Sequence, residues 1–360
     1  MHSSVQQTSL TDFANKKANK VIGACVHCGF CLATCPTYQL LGDELDSPRG
    51  RIYLMQSALE DNLASFDTLK HLDRCLTCRS CETTCPSGVE YSQLLDIGRD
   101  FLETKRPFWQ KSYRLFVRKF LTTPLLFKTA GYFFRNSGKV GNKLKAENGT
   151  RKILLLGGCV QPTLAPNINH SIKNILAKLD VAVVESPQSQ CCGAIDQHLA
   201  ASEAAMRKVK SNIDAWQAQL EGGIEVILSS ASGCGVMVKD YPQLFNKEDE
   251  YHTKALLIAS HTQDIAEFLA KENLSQLHLS EKNISYHESC TMQHGQQLGG
   301  LVESLLGQFG YTQIPVKDSH LCCGSAGTYS IFQPKLAKEL RSNKITHLTK
   351  SSPAMIITSN

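Results

Sequence analysis

The sequence predicts a multidomain chain: an α-helical domain over residues 1–104, a basic aromatic helical linker over 105–150, and two α/β half-domains over 151–280 and 281–360. The half-domains are expected to share one parallel-sheet plan related by a pseudo-twofold repeat. Three observations carry this. One cysteine pattern recurs fifty residues apart within the first hundred residues. A second recurs 131 residues apart beyond residue 150, and strand and helix signals alternate only there. A chain of 360 residues is longer than one ordinary core needs, so two or three domains are expected.

Composition narrows the chemistry before any element is placed. The N-terminus MHSSVQQTSLTDFANKKANK has no apolar core region, and no stretch reaches eighteen uncharged apolar residues, so neither a secretion signal nor a membrane span is expected. That points to the cytoplasm. Fifteen cysteines in a reducing compartment are better read as metal ligands or redox groups than as a disulfide framework.

The first domain is organised by its thiols. Cys25, Cys28, Cys31, Cys35 and Pro36 recur as Cys75, Cys78, Cys81, Cys85 and Pro86, with identical C-x-x-C-x-x-C-x-x-x-C-P spacing. Two-residue gaps let three thiolates converge on one iron-sulfur cubane, while the fourth cysteine, before a proline that turns the chain, faces the other cluster. Cys25, Cys28, Cys31 and Cys85 are therefore expected to hold one [4Fe-4S] cluster, and Cys75, Cys78, Cys81 and Cys35 the other. Zinc is the weaker reading, because two separated pairs satisfy its tetrahedron without a third close cysteine or a trailing proline. Between the copies, Ser47 to Leu72 carries helical apolar periodicity with Pro48 near a helix start; Arg49 and Arg51 could pair with cluster charge or with nearby acids, a surface salt bridge being the default reading.

The linker is set apart by charge. Between Lys105 and Lys152 thirteen lysines and arginines face the single acid Glu147, so this segment carries +12 of a chain whose net charge is +5. Phe108, Trp109, Tyr113, Phe116, Phe120, Phe127, Tyr132, Phe133 and Phe134 are interleaved with those cations. A helix sorting the two types onto separate faces would suit anionic lipid or an acidic partner, and a solvated linker is the plain alternative. No base-reading motif accompanies the charge, which argues against nucleic acid.

In the first half-domain KILLLGGC, VAVV and EVILSS read as strands, separated by helices at Ala165 to Leu179 and Ser202 to Leu220. In the second, ISYHESC, TQIPV and AMIITS are strands, with helices around Leu301 to Phe309 and Lys335 to His347. Cys159, Cys191 and Cys192 recur as Cys290, Cys322 and Cys323, at the carboxyl ends of strands, where parallel sheets gather ligands. Each doubled cysteine runs into a glycine, expected to permit positive φ and to clear space for a bulky inorganic group. Cys234 completes a four-thiol set in the first half only, and the chain stops before an equivalent position in the second, which reads as truncation. A further cluster in this region is therefore a possibility with Cys159, Cys191, Cys192, Cys234, Cys290, Cys322 and Cys323 as its candidate ligands. His287, His294 and His320 flank these cysteines and are candidates to orient a cluster, whereas Glu288 and Asp318 read as solvated or capping acids. Neither a G-x-G-x-x-G nor a P-loop pattern is present, so no nucleotide site is expected.

These residues carry a resemblance. The first domain resembles the double-cluster ferredoxin domain of respiratory dehydrogenases, and the two CCG halves resemble the cysteine-rich domains of heterodisulfide reductase. More narrowly, GACVHCGFCLATCPTYQLLGDELDSPRGRIYLM, ASGCGVMVKDY and DSHLCCGSAGTYSIFQP resemble the iron-sulfur subunits of bacterial glycolate oxidase, over nearly the whole chain. The resemblance implies a flavin-free subunit working beside FAD-containing subunits that oxidise glycolate to glyoxylate, passing electrons towards the membrane quinone pool from the cytoplasmic side. It implies no catalytic residue on this chain. The iron-sulfur component of a quinone-linked lactate dehydrogenase, a heterodisulfide-reductase-like thiol enzyme and a cluster-bearing scaffold are the alternatives. The C-x-x-C pair that closes the heterodisulfide reductase motif is absent, since Cys234 is followed by Gly235, Val236 and Met237, so a non-cubane cluster is not expected.

Overall fold

The computed structural model describes residues 10–63, 65–123, 127, 151–275, 277 and 281–359. Helices alone build the N-terminal region. Thr11 caps the helix Asp12–Ala24 by accepting from Ala14 N, and Ser47 caps Pro48–Glu60 by accepting from Gly50 N, with Pro48 in the first turn. Gly50 is required there, because a Cβ would stand 2.0 Å from the Glu44 carbonyl oxygen. Phe66–Asp73 and Tyr91–Glu103 complete the bundle. Ala18, Val21, Met55, Leu59, Leu72, Leu94, Leu95 and Leu102 pack into one core whose edge includes Cys75 and Cys81. Apolar packing therefore reaches the thiols directly.

Pro107 then starts the basic helix Phe108–Thr122. Its faces are sorted in the opposite sense to the usual amphipathic helix. Arg114 and Val117 are buried, whereas Phe108 is 83% exposed, Trp109 68% and Phe116 64%. Arginines turn inward because acids of neighbouring elements receive them: Arg106 is bidentate to Asp73 at 2.7 and 2.9 Å, Arg114 reaches Asp73 at 3.5 Å, and Arg118 reaches Asp196 at 3.4 Å. Tyr132, Phe133 and Phe134 lie outside the described residues.

Beyond residue 150 the expected α/β alternation is present. Strands β1 (Arg151–Leu155), β2 (Val181–Val184), β3 (Val226–Ser229) and β4 (Thr262–Asp264) form an all-parallel sheet in the order β2-β1-β3-β4. Ile153 and Leu155 pack with Ile172, Leu176 and Phe268, while Leu154 and Leu156 pack with Val209, Ile213 and Trp216. One strand thus feeds a core on each face, which is why it reads as a continuous apolar run. The helices Pro166–Lys178 and Ser202–Glu221 supply those faces. Strands β5 (Asn283–His287), β6 (Thr312–Gln313) and β7 (Met355–Thr358) form a second parallel sheet, ordered β6-β5-β7. The run TQIPV yields only two paired residues, with Thr312 N donating to Lys282 O and Ile314 N to Ile284 O. The chain is therefore a helical region followed by two parallel-sheet α/β regions.

Candidate metal centre

The eight N-terminal cysteines line two cavities that share a wall. One is lined by Cys25, Cys28, Cys31 and Cys85 with Arg49, Ile52 and Val89. The other is lined by Cys35, Cys75 and Cys78 with Thr37, Arg51 and Leu76. Cys81, Pro48 and Tyr91 belong to both. The last cysteine of each motif thus stands beside the first three of the other copy.

Backbone conformation repeats with the motif. His27 and Thr77, fifty residues apart, have φ of 55° and 54°, and Gly29 and Arg79 have φ of 83° and 61°. Three of these four are not glycine. Left-handed conformation at such residues costs about 1–3 kcal/mol and persists where the surroundings impose it, here by wrapping the chain around each cavity.

The chemistry of the lining fits an iron-sulfur centre. Burial pushes the Cys31 thiol up to about 11 and drives Cys78 and Cys81 well above the ordinary range, so bare thiolates are disfavoured there. A metal that displaces those protons supplies the missing compensation. Three hydroxyls near the second cavity, Ser80 Oγ, Tyr91 Oη and Tyr329 Oη, are buried without a hydrogen-bond partner among the described residues. Tyr91 reaches Cys75, and Tyr329 packs in one cluster with Leu76 and Cys78. Sulfur acceptors of a cluster would take such donors.

Arg51 corrects the sequence expectation. It is not a surface partner but 1% exposed, donating through Nε to His71 O at 2.8 Å and through Nη2 to Thr37 Oγ1 at 3.1 Å. That hydroxyl lies 3.3 Å from Cys35 Sγ. Burial opposes the charge, but Cys75, Tyr91, Cys35 and Asp46 around it more than offset that and hold the guanidinium above its ordinary value. Asp46, fully buried, also meets Arg74 at 2.6 Å and His71 at 3.1 Å. Asp43, Asp46 and His71 converge closely enough to suggest a cation site, yet two guanidiniums already occupy Asp46. Arg49 behaves as expected, pairing with Glu44 at 2.8 Å near the surface. The signal for Arg51 was available, because positions 51, 55 and 58 follow helical spacing with Met55 and Ala58.

The CCG thiols form two further sets. Cys159 and Cys191 stand 3.4 Å apart, and Cys192 bridges Cys191 to Cys234. Cys159 and Cys191 share one thiol hydrogen bond, which favours the ionised form of Cys191 and, with burial, raises Cys159. Asn212 Nδ2 donates to Cys191 O at 3.2 Å and Tyr241 Oη to Cys192 O at 2.9 Å, which fixes the doubled cysteine. Neither residue was singled out from sequence, although Asn212 lies on the apolar face of its helix, three residues after Val209 and four before Trp216.

In the second set Cys290, Cys322 and Cys323 come together, with His287 beside Cys323 and held by Thr358 at 2.9 Å. His294 faces the N-terminal region instead, 2.8 Å from Thr83, and lies close to His320. Buried Lys344 donates to Asp318 O and Ser319 O, and sequence reasoning missed it. Asp318 is solvated as expected, 3.7 Å from His347. Glu288 is not. Its Oε1 is buried, and burial with the neighbouring Glu303 pushes the carboxyl up to about 7.

The CCG glycines have φ of 92° at Gly193 and 79° at Gly324, as expected. The space cleared at Gly324 serves protein packing rather than an inorganic group: a Cβ would stand 2.7 Å from Ala337 O.

Comparison with known proteins gives this geometry its setting. The family model described as 4Fe-4S dicluster domain matches residues 22–89, and the one described as cysteine-rich domain matches 153–239 and 284–360. The glycolate oxidase iron-sulfur subunit of Escherichia coli (strain K12) is 45% identical, over 98% of this chain and 93% of the relative. The chain belongs to the glycolate oxidase iron-sulfur subunit family. A probable glycolate oxidase iron-sulfur subunit of Bacillus subtilis (strain 168) is 26% identical over 93% of the chain and 86% of the relative. A lactate utilization protein A of Exiguobacterium is 24% identical over 57% of the chain and 84% of the relative. As a member of this family the chain is an iron-sulfur electron-transfer subunit of an oxidoreductase. No helix among the described residues is long and apolar enough to cross a membrane.

Proposed function

We propose that the chain relays electrons within a glycolate-oxidising complex, from an FAD-bearing subunit towards the quinone pool, through two [4Fe-4S] clusters. Cys25, Cys28, Cys31 and Cys85 would hold one and Cys75, Cys78, Cys81 and Cys35 the other. The cubanes supply one-electron storage when bound. The chain's own residues fix their spacing through the shared Cys81 and Tyr91 wall, exclude water with Ile52, Leu76 and Val89, and donate hydrogen bonds from Ser80 and Tyr91. The observation that carries the reading is the convergence of four thiols on each of two adjoining cavities. The proposal treats 1–104 as the cluster domain, 105–150 as the linker, and 151–280 and 281–360 as the CCG regions. The CCG thiols offer room for a further centre at Cys159, Cys191, Cys192 and Cys234.

Cys28→Ala and Cys78→Ala should each remove the iron, acid-labile sulfide and visible absorbance of one cluster from an anaerobic preparation while sparing the other. Full iron in both variants would refute the assignment. A panel of 2-hydroxy acids offered to the assembled complex should favour glycolate; preference for lactate would move the chain to that branch, in line with its similarity to lactate utilization proteins. The exposed Phe108, Trp109 and Phe116, with Lys105, Lys111 and Lys119 nearby in sequence, form the surface proposed to rest on anionic lipid.

A further inference from the structure

The two thiol cavities differ in the charge built around them. Resting on the reading that each holds a cubane, we propose that Arg51 makes the centre at Cys35, Cys75, Cys78 and Cys81 the higher-potential member of the pair, and so gives the relay a direction. Arg51 lines that cavity and is buried. Its only carboxylate partner among the described residues, Asp46 at 3.3 Å, is shared with Arg74, so two cations face one anion. Buried Arg99, which Asp96 faces, also donates to Cys75 O at 2.9 Å and Thr77 Oγ1 at 3.1 Å, so the uncompensated charge is that of Arg51 and Arg74 over Asp46. At the other cavity Arg49 is matched by Glu44 and about a third exposed. Glu82 abuts Cys81, a ligand of the second centre, and accepts from Ser92 N at that cavity's wall, so it offsets part of the positive charge there.

Reduction adds one negative charge to a centre, and net charge, hydrogen bonds to sulfur and exposure set its potential. Exposure alone would order the pair the other way. Cys28 is exposed, so water stabilises added charge at the first site, whereas the second is buried. The fixed guanidinium is what reverses this, aided by the hydroxyls of Ser80 and of Tyr91, which reaches Cys75. Transfer of one electron oxidises the centre at Cys25, Cys28, Cys31 and Cys85 and reduces its neighbour, with no bond or proton change. The accepting end is also the one that meets the second CCG set. Cys78 packs in one apolar cluster with Cys290 and Cys322, around Leu76, Tyr329 and Leu340.

The test is a redox titration of the full chain followed by electron paramagnetic resonance. A Cys28→Ala background leaves the second centre and a Cys78→Ala background the first, so each potential is read alone. The second centre should be the higher by at least the 59 mV that corresponds to a tenfold equilibrium constant for one electron. Arg51→Gln should lower it by at least that tenfold equivalent, Asp46→Asn should raise it, and Arg51→Lys and Arg49→Gln should leave it near its starting value. Opposite signs for Arg51→Gln and Asp46→Asn are the signature that damage to packing would not produce. If Arg51→Gln fails to retain iron, Asp46→Asn still has to raise the potential for the proposal to stand. A first centre of higher potential, or shifts of the same sign in the two variants, would overturn it. Failure of the underlying cluster assignment would look different, as absence of iron and signal in both cysteine backgrounds.

Discussion

At the scale of single residues, the thiols were legible and their supports were not. Cysteine spacing is a covalent fact of the sequence, and the converging sets of Cys25 and Cys75 follow from it. Arg51, Asp46 and His71 are charged or polar types whose default is solvent, and only their mutual pairing makes burial tolerable. Asn212 and Tyr241 were hidden for the same reason, because their partners are backbone carbonyls that no sequence pattern advertises. The paired glycines permit a sharper statement. At Gly193 the nearest atoms to an added Cβ are 3.5 Å away, so Gly193→Ala should cost only left-handed strain, about 1–2 kcal/mol. At Gly324 the same strain is joined by collision with Ala337 and Leu340, so Gly324→Ala should lose about 1–3 kcal/mol more. Thermal unfolding of the two variants compares them directly; equal losses would contradict the contacts at Gly324.

At the scale of elements, strands and helices beyond residue 150 followed their periodicity closely, because β1 and β3 are buried on both faces and the helices on one. β6 fell short, with two paired residues, and β4 and the helix Glu250–His261 were not foreseen. The basic helix Phe108–Thr122 was foreseen as an element, but its faces were not. Periodicity shows that cations and aromatics separate, whereas Asp73, Glu103 and Asp196 decide which set turns inward. Two outcomes follow for this element. Asp73→Ala leaves Arg106 and Arg114 buried without their shared carboxylate and should destabilise the fold by about 3 kcal/mol, read by chemical denaturation. Phe108→Glu with Trp109→Glu should abolish co-sedimentation with anionic vesicles and leave the melting temperature unchanged, since both side chains are exposed; binding retained by the double variant would remove the lipid role of this face.

At the scale of the whole molecule, one apolar cluster of Leu76 and Cys78 with Cys322, Tyr329 and Leu340 joins the helical region to the second CCG region, and polar pairs make further contacts that few sequence patterns predict. Arg79 pairs with Asp240, His198 with Asp96 at 3.0 Å, and Ser202 with Asp100, joining the helical region to the first CCG region. Thr83 and His294 join it to the second, and Ser232 with Thr291 at 2.6 Å links the two CCG regions. Such pairs bring residues between 59 and 211 positions apart to one surface, and the internal repeats show that the parts are related without showing how they dock. The consequence for function is that the second CCG thiols abut Cys78 while the two N-terminal cavities share Cys81 and Tyr91. The most direct measurement of this arrangement is the electron paramagnetic resonance spectrum of the anaerobically reduced chain. Two cubanes across one shared wall predict a spectrum broadened by spin coupling, which collapses to a single sharp rhombic signal in Cys78→Ala. A colourless protein, zinc in place of iron, or a spectrum that Cys78→Ala leaves unaltered would contradict it.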